Sequence, residues 1–325
     1  MNPAGQGPRQ PHGPSTSRAA FSPPGVRRRA GRAAAVAVVA ALLATGCHSD
    51  GRQQPLAAAP PAGVPELTAA ESALLDRAEL LLIRDCMRRR GFDYLVAPRP
   101  ARPQYRDFPY VVDDAGWARR HGYGADLQRR RDAAARAEPN TKRLDALAPA
   151  DRAAELFALN GVAGADTDVT AVLPSGVTTR RSASSCTSEA ERGLYGDLPA
   201  WYRAERVTEN LPGLRVHLVL GDARYRRAAA AWSRCMARAG HRYDEPAQAR
   251  YAVLSADPPM PRAQEIALAV AEATCADRTG LSATAADLDR RYARVVDDRY
   301  AAEIADRRRL QRGALPGAHA IVLAG

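Results

Sequence analysis

The sequence has very little lysine, few aromatic residues and no long hydrophobic run. Of the 47 basic residues, Lys142 is the single lysine, and aromatic residues make up 6% of the chain. The longest apolar run, residues 33–44, corresponds to about 18 Å of helix, whereas a hydrocarbon core is about 30 Å thick. This length is typical of the apolar region of a signal peptide, and a chain with 26% charged residues is too charged for a multispanning membrane protein.

The sequence also lacks the motifs of several common activities. It contains no P-loop, no Gly-rich dinucleotide fingerprint and no G-x-S-x-G elbow around Ser182, Ser184 or Ser185. The adjacent acids Asp113–Asp114 and Asp297–Asp298 are predicted to point apart, so they indicate no glycosidase dyad. We predict no cofactor and favour a non-enzymatic protein, with a cell-wall hydrolase as the enzymatic alternative.

The formal charge of +11 comes largely from the N-terminal segment. Residues 1–46 contain six arginines and no acidic residue, which leaves 41 basic and 36 acidic residues in the rest of the chain. This small excess is spread over arginines that have acids beside them. We therefore predict no nucleic-acid partner and interpret the N-terminal basicity as a targeting signal.

The N-terminus has the pattern of an exported lipoprotein. An arginine cluster precedes the apolar run, and the run ends in Leu43-Ala44-Thr45-Gly46-Cys47. This pentapeptide resembles a bacterial lipobox, with Ala44 in place of the commoner leucine. We predict that residues 1–46 are a lipoprotein signal peptide and that lipidated Cys47 anchors the protein at the outer face of the cell membrane. An ordinary secretory signal with an incidental cysteine is the alternative.

Two Pro-rich segments flank the signal. Residues 1–25 precede the arginine cluster and are not needed for export, so we hypothesise that translation starts at Val26. A precursor peptide from residues 2–25, detected by mass spectrometry, would contradict this hypothesis. Residues 47–66 contain several prolines and small residues, and we predict a flexible Pro/Ala tether there.

An internal repeat relates two cysteine-bearing segments. The pattern Cys-Met-x3-Gly-x2-Tyr occurs at residues 86–94 and again, 149 positions later, at residues 235–243. Each copy is predicted to be the end of a helix, because the glycine suits the left-handed position that follows a helix C-terminus. The repeat predicts one compact domain, residues 67–312, with halves of about 67–210 and 211–312.

Four further cysteines indicate two disulfides. In an exported chain, an even number of cysteines favours disulfide bonds, and their wide spacing argues against a zinc site. If each repeat unit contains its own pair, Cys86 bonds to Cys186 and Cys235 bonds to Cys275. The rival pairing, Cys86 with Cys235, would join the two repeats to each other.

The hydrophobic periodicity predicts a mainly α fold. A capping box at Thr68 and Glu71 begins the clearest helix, which ends at Gly91. A small hairpin is predicted near residues 165–180, a long C-terminal helix over 282–312, and a loose tail over 313–325. Other helices are expected at 126–137, 149–159, 187–208, 222–239 and 261–280.

Arginine triplets and aromatic stretches are the remaining candidate surfaces. Triplets at residues 88–90, 129–131 and 307–309 are interpreted mainly as solvated helix faces, with anion binding as the alternative. Residues 117–123 and 201–203 combine aromatic and arginine side chains. For these stretches, ring packing is favoured over glycan or peptide binding.

The chain resembles a group of uncharacterised cell-envelope lipoproteins from actinobacteria, which are high-GC Gram-positive bacteria. The resemblance depends on the lipobox at Cys47, the two Cys-Met repeats, residues 117–124, and Cys186 with the Glu189-Ala190 and Leu194-Tyr195-Gly196 that follow it. It implies export, lipidation and a cysteine-bearing helical domain, and it implies no activity.

Together these features predict a membrane-anchored extracytoplasmic lipoprotein that acts as a binding or structural component of the envelope. An accessory or sensor protein for a membrane partner is an alternative. Expected partners are the membrane, through the N-terminal lipid, and either cell-wall polymers or a membrane protein.

Overall fold

The computed structural model describes residues 64–96, 105–164 and 168–325. The predicted signal peptide, Cys47 and most of the predicted tether lie outside these residues. The helices and strands of the described part follow in chain order: α1 Ala69–Arg89, α2 Ala115–His121, α3 Ala125–Arg136, α4 Pro139–Ala146, α5 Pro149–Asn160, β1 Val169–Val172, β2 Thr178–Arg181, α6 Cys186–Tyr195, α7 Leu198–Gly221, α8 Ala223–Arg238, α9 Pro246–Leu254, α10 Arg262–Arg278, α11 Leu281–Arg299 and α12 Ala301–Ala324.

The mainly α prediction is confirmed, and so is the small hairpin. Strands β1 and β2 pair antiparallel, with Val169 opposite Arg181 and Val172 opposite Thr178. Val169 and Ala171 point inward onto Leu198 and Tyr202, while the alternate residues of β1 are exposed. The hairpin is therefore stabilised by packing on α7, since two strands alone are marginally stable in water.

Both disulfides have the pairing that the repeat predicts. Cys86 is bonded to Cys186 across 100 residues, and Cys235 is bonded to Cys275 across 40 residues. All four cysteines are buried. The first bond staples α1 to α6, and the second staples α8 to α10.

The two copies of the repeat end in the same hydrogen-bonding pattern. At the end of α1, the Phe92 amide donates to the Met87 carbonyl at 2.9 Å, and the Gly91 amide donates to Arg88. At the end of α8, His241 donates to Met236, also at 2.9 Å. Gly91 and Gly240 have φ of 84° and 89°. Each repeat therefore forms a Schellman motif, which explains the glycine at this position.

The protein has separate cores on its two sides. The larger core joins α8, α10 and α11 to residues 108–123 around the fully buried Trp232, Met236 and Leu288. Smaller clusters surround the Cys86–Cys186 bond and fill the space between α1 and α12. Helix α7 packs on α12 and α11, so it connects the two sides.

The prediction of a loose tail over 313–325 is wrong. Helix α12 continues to Ala324, and Ala314 and Ala318 are buried against α1 beside Leu75 and Ala78. Small side chains let two helices approach closely, but they produce little hydrophobic periodicity, so the segment itself did not predict a helix. The contact that stabilises it comes from a distant part of the chain.

The predicted boundaries inside the helical domain also need correction. The predicted helix 282–312 is two helices that meet at Tyr300, and the predicted helix 187–208 is divided near Gly196. The boundary between halves at residues 210 and 211 falls inside α7. Because α12 packs on α1 and α6, the C-terminal helix belongs with the first half, and the halves are interlocked.

Candidate functional site

A groove of about 730 Å³ lies where the start of the described chain meets α7 and the junction of α11 with α12. Its volume is in the range of small-molecule sites, whereas the hollows on either side of α9 measure about 280 and 270 Å³. Its apolar lining includes Leu67, Leu211, Val296 and Ile304, and its charged lining consists of Glu66, Arg215, Asp297, Asp298, Arg307 and Arg308. We take this groove as the candidate functional site.

The groove results from two local features of the chain. Helices α11 and α12 are interrupted at Tyr300, where φ is −112° and ψ is 25°, and this break turns the start of α12. Pro212 lies inside α7 and lines the groove. Because proline has no amide hydrogen, the Thr208 carbonyl one turn earlier lacks its usual helical donor. Thr208 also lines the groove, next to Leu211 and Arg215 of the same helix.

One wall of the groove is formed by Val64–Leu67, which we call the strap. Its residues Val64, Glu66 and Leu67 line the groove. Arg312 of α12 holds the strap by donating to the Pro65 carbonyl at 3.0 Å and the Glu66 carbonyl at 2.7 Å. Arg308 pairs with the Glu66 carboxylate at 2.5 Å. The strap is thus attached to α12 by charged hydrogen bonds.

Replacing Arg312 is expected to release the strap. Arg312→Gln removes hydrogen bonds from a charged donor to two carbonyls, each of which is worth about 1.5–3 kcal/mol. With Val64→Cys as a probe, we expect maleimide to label the thiol about tenfold faster in the Arg312→Gln background. Arg309→Gln is the matched control, because Arg309 pairs with Asp306 on the same helix and not with the strap. Equal labelling rates in the two backgrounds would contradict this role of Arg312.

The arginine triplets are largely engaged by acids and do not form one anion-binding face. Arg89 and Arg90 both pair with Glu189. In the second triplet, Arg130 pairs with Asp126. In the third, Arg307 and Arg308 line the groove, whereas Arg309 pairs with Asp306. Only the third triplet therefore contributes to the candidate site.

Aromatic residues of the stretches 117–123 and 201–203 pack against other rings of the protein. Trp201 and Tyr202 are each 3% exposed, and Trp201 stacks on Tyr195 with ring centroids 3.6 Å apart. Tyr123 is also buried, and Trp117 packs edge-on against Phe108. These contacts with neighbouring rings stabilise the fold.

The acid pairs have different surroundings. Asp113 and Asp114 both pair with Arg106, at 2.9 and 2.6 Å, and Asp114 also caps α2. Asp297 and Asp298, which were expected to point apart, both line the groove.

Two buried glutamates on α10 were not identified from the sequence. Glu272 accepts hydrogen bonds from the Val112 amide at 2.8 Å and from the Tyr123 hydroxyl. Glu265 accepts from the Tyr123 amide at 2.9 Å. Burial raises the pKa of Glu272 to about 7. These carboxylates hold residues 112–125 on α10, and their seven-residue spacing on one helix face was the available signal.

Within residues 64–96, 105–164 and 168–325, no helix has both the length and the apolar character needed to cross a membrane. The same residues contain no group of three or more His, Cys, Asp or Glu side chains placed to hold a metal ion. The serines near Cys186 bond to one another and to α6, where Ser185 accepts from the Ser188 amide at 3.1 Å.

Comparison with known proteins adds no relative. No family model matches the chain, and no curated protein and no solved structure is similar to it.

Proposed function

We propose that the protein is an exported lipoprotein and a non-enzymatic component of the envelope, and that the groove is its binding site. The arginine cluster, the short apolar run and the lipobox at Cys47 support export and lipidation. Two disulfides are compatible with an oxidising compartment outside the cytoplasm. On this proposal, the protein belongs to the group of actinobacterial envelope lipoproteins that it resembles.

The assignment of the binding site depends on one observation. The strap includes the last three residues of the predicted tether, which Arg308 and Arg312 hold on α12, and it forms a wall of the groove. The groove therefore opens at the end of the domain that the tether joins to the membrane. A ligand bound there would contact the described residues that are closest to Cys47 along the chain.

Removing the lipidated cysteine tests the location. Cys47→Ser is expected to abolish palmitate labelling, because Cys47 is the residue that is proposed to carry the acyl chains. Ser49→Ala is the matched control, since it changes the same segment and keeps the lipobox. Continued palmitate labelling of Cys47→Ser would contradict lipidation at Cys47.

Filling the groove tests the site. In the unanchored Cys47→Ser background, Ala305→Trp places a large ring in the groove, whereas Ala302→Trp changes an exposed residue that does not line it. We expect only Ala305→Trp to abolish sedimentation with an envelope preparation. A zymogram of the same protein on wall material separates a binder from a hydrolase, because clearing of the wall would contradict a non-enzymatic function.

A further inference from the structure

The groove contains three charged side chains without a partner. Within the part of the chain that the structure describes, Arg307, Asp297 and Asp298 make no ion pair and accept or donate no hydrogen bond through their side chains. The other charges of the groove are paired: Arg308 with Glu66 at 2.5 Å, and Arg215 with Asp289 at 2.8 Å. The groove therefore combines unpaired charges of both signs in one concavity.

Arg307 indicates that the ligand has an anionic group. Its side chain is half-buried, and its Nε atom is removed from solvent without an acceptor. A buried donor without a partner is unfavourable, and a phosphate or carboxylate oxygen would satisfy it. Arginine also suits phosphate, because its planar guanidinium can donate two parallel hydrogen bonds.

Asp297 and Asp298 indicate that the same ligand has a cationic group. An anion bound at Arg307 would lie in a groove with two exposed carboxylates, which would repel it. A ligand with an ammonium group beside its anion removes this repulsion, because the ammonium can donate to the aspartates. Charge complementarity therefore favours a zwitterion over a simple anion.

The apolar wall and the position of the groove specify the rest of the ligand. Leu211, Val296 and Ile304 form an apolar surface next to the charges. Sixteen residues separate Cys47 from Val64, and they span at most about 55 Å when extended. A tether of this length allows the groove to contact the membrane surface, where amphiphiles with zwitterionic headgroups are found.

We propose that the groove binds an amine-bearing phospholipid. Arg307 contacts the phosphate, Asp297 and Asp298 accept from the ammonium group, and the first part of an acyl chain packs on Leu211 and Ile304. The inference deepens the proposed function and rests on it, because the membrane anchor brings the groove to the lipid. Binding would hold the domain in a defined orientation on the bilayer.

Titration with short-chain lipids tests the proposal. Purified Cys47→Ser full-length protein is titrated with dihexanoyl phosphatidylethanolamine and with dihexanoyl phosphatidylglycerol, which has the phosphate but no amine. We expect phosphatidylethanolamine to bind at least about tenfold more tightly. Equal affinity for the two lipids, or binding of neither, would overturn the proposal.

Groove variants extend the test, and one of them is expected to change the affinities for the two lipids in opposite directions. Arg307→Gln is expected to weaken phosphatidylethanolamine binding about tenfold. The double variant Asp297→Asn/Asp298→Asn is expected to weaken phosphatidylethanolamine binding and strengthen phosphatidylglycerol binding, because it removes both the ammonium partners and the repulsion. Arg309→Gln and Asp287→Asn, which lie outside the groove, are matched controls expected to change neither affinity. An effect of Arg309→Gln equal to that of Arg307→Gln would show non-specific charge attraction and overturn the site.

Failure of this inference is distinguishable from failure of the proposed function. If Ala305→Trp abolishes envelope binding and neither lipid binds, the lipid assignment is wrong and the groove remains the binding site. If the lipids bind as expected and Cys47→Ser still incorporates palmitate, the proposal of an anchor at Cys47 is wrong. Circular dichroism and a non-reducing gel establish that each variant is folded with both disulfides.

Discussion

Replacing both cysteines of the Cys86–Cys186 bond by serine is expected to lower the free energy of unfolding by about 4.7 kcal/mol. The bond closes a loop of 100 residues, and its loss raises the conformational entropy of the unfolded chain more than that of the folded protein. Loss of the Cys235–Cys275 bond is expected to cost about 3.9 kcal/mol, because that loop has 40 residues. Since single domains are stable by about 5–15 kcal/mol, the first variant is expected to lose between about a third and nearly all of the stability.

Urea unfolding followed by circular dichroism measures both values. Double serine variants leave no free thiol from the broken bond, so exchange with the remaining disulfide is avoided. Addition of a reductant to the wild-type protein provides a control in which both bonds are lost. If the Cys86→Ser/Cys186→Ser protein unfolds at the wild-type urea concentration, the disulfide between α1 and α6 does not stabilise the protein as expected.

Glu272→Gln is expected to stabilise the protein at pH 8 and to leave its stability nearly unchanged at pH 4.5. Burial raises the pKa of Glu272 from 4.5 to about 7, so the folded protein binds a proton more tightly than the unfolded chain. Stability from this group is present below pH 4.5 and is lost as the pH rises to about 7. The raised pKa corresponds to about 3 kcal/mol, which is the largest gain expected from the substitution at pH 8.

Glutamine can keep the contacts that the neutral carboxyl group makes. Its carbonyl oxygen can accept from the Val112 amide, and its amide group can donate to the Tyr123 hydroxyl oxygen. Glu272→Leu is the contrasting variant, because it leaves the Val112 amide without a partner. We expect it to lose about 1–3 kcal/mol per unsatisfied group at either pH.

Thermal unfolding of the three proteins across pH 4.5–8 tests this expectation. Burial, with repulsion by Glu191, also raises the pKa of Glu79 to about 7, so the wild-type stability is expected to fall over the same range through both groups. Glu272→Gln removes only the part of that fall in stability that is due to Glu272. Parallel pH profiles for the wild type and Glu272→Gln would show that Glu272 titrates as an exposed carboxylate.

Local patterns were sufficient to identify the ends of several helices. The capping box at Thr68 and Glu71 is present, with the Glu71 carboxylate 2.7 Å from the Thr68 amide. Gly91 and Gly240 end their helices in the left-handed conformation. These features depend on residues three to five positions apart, so the sequence contains all the information that they need.

The C-terminal segment shows where local patterns fail. Ala314 and Ala318 have no strong periodicity around them, and Pro316 lies between them. Their helix is stabilised by contact with α1, more than 220 residues earlier. Helix propensity is weak beside packing, and the packing partner cannot be read from the segment itself.

The sequence by itself determined the mainly α class, the repeat with its two disulfides, and the expectation of an exported, lipid-anchored protein. Only the tertiary structure brought the strap, α7 and α12 together and left Arg307, Asp297 and Asp298 unpaired in one groove. The physical reason is one of distance along the chain. Caps, turns and repeats depend on neighbouring residues, whereas a groove depends on side chains as far apart in the chain as Val64 and Gln311, which meet only when the helices pack.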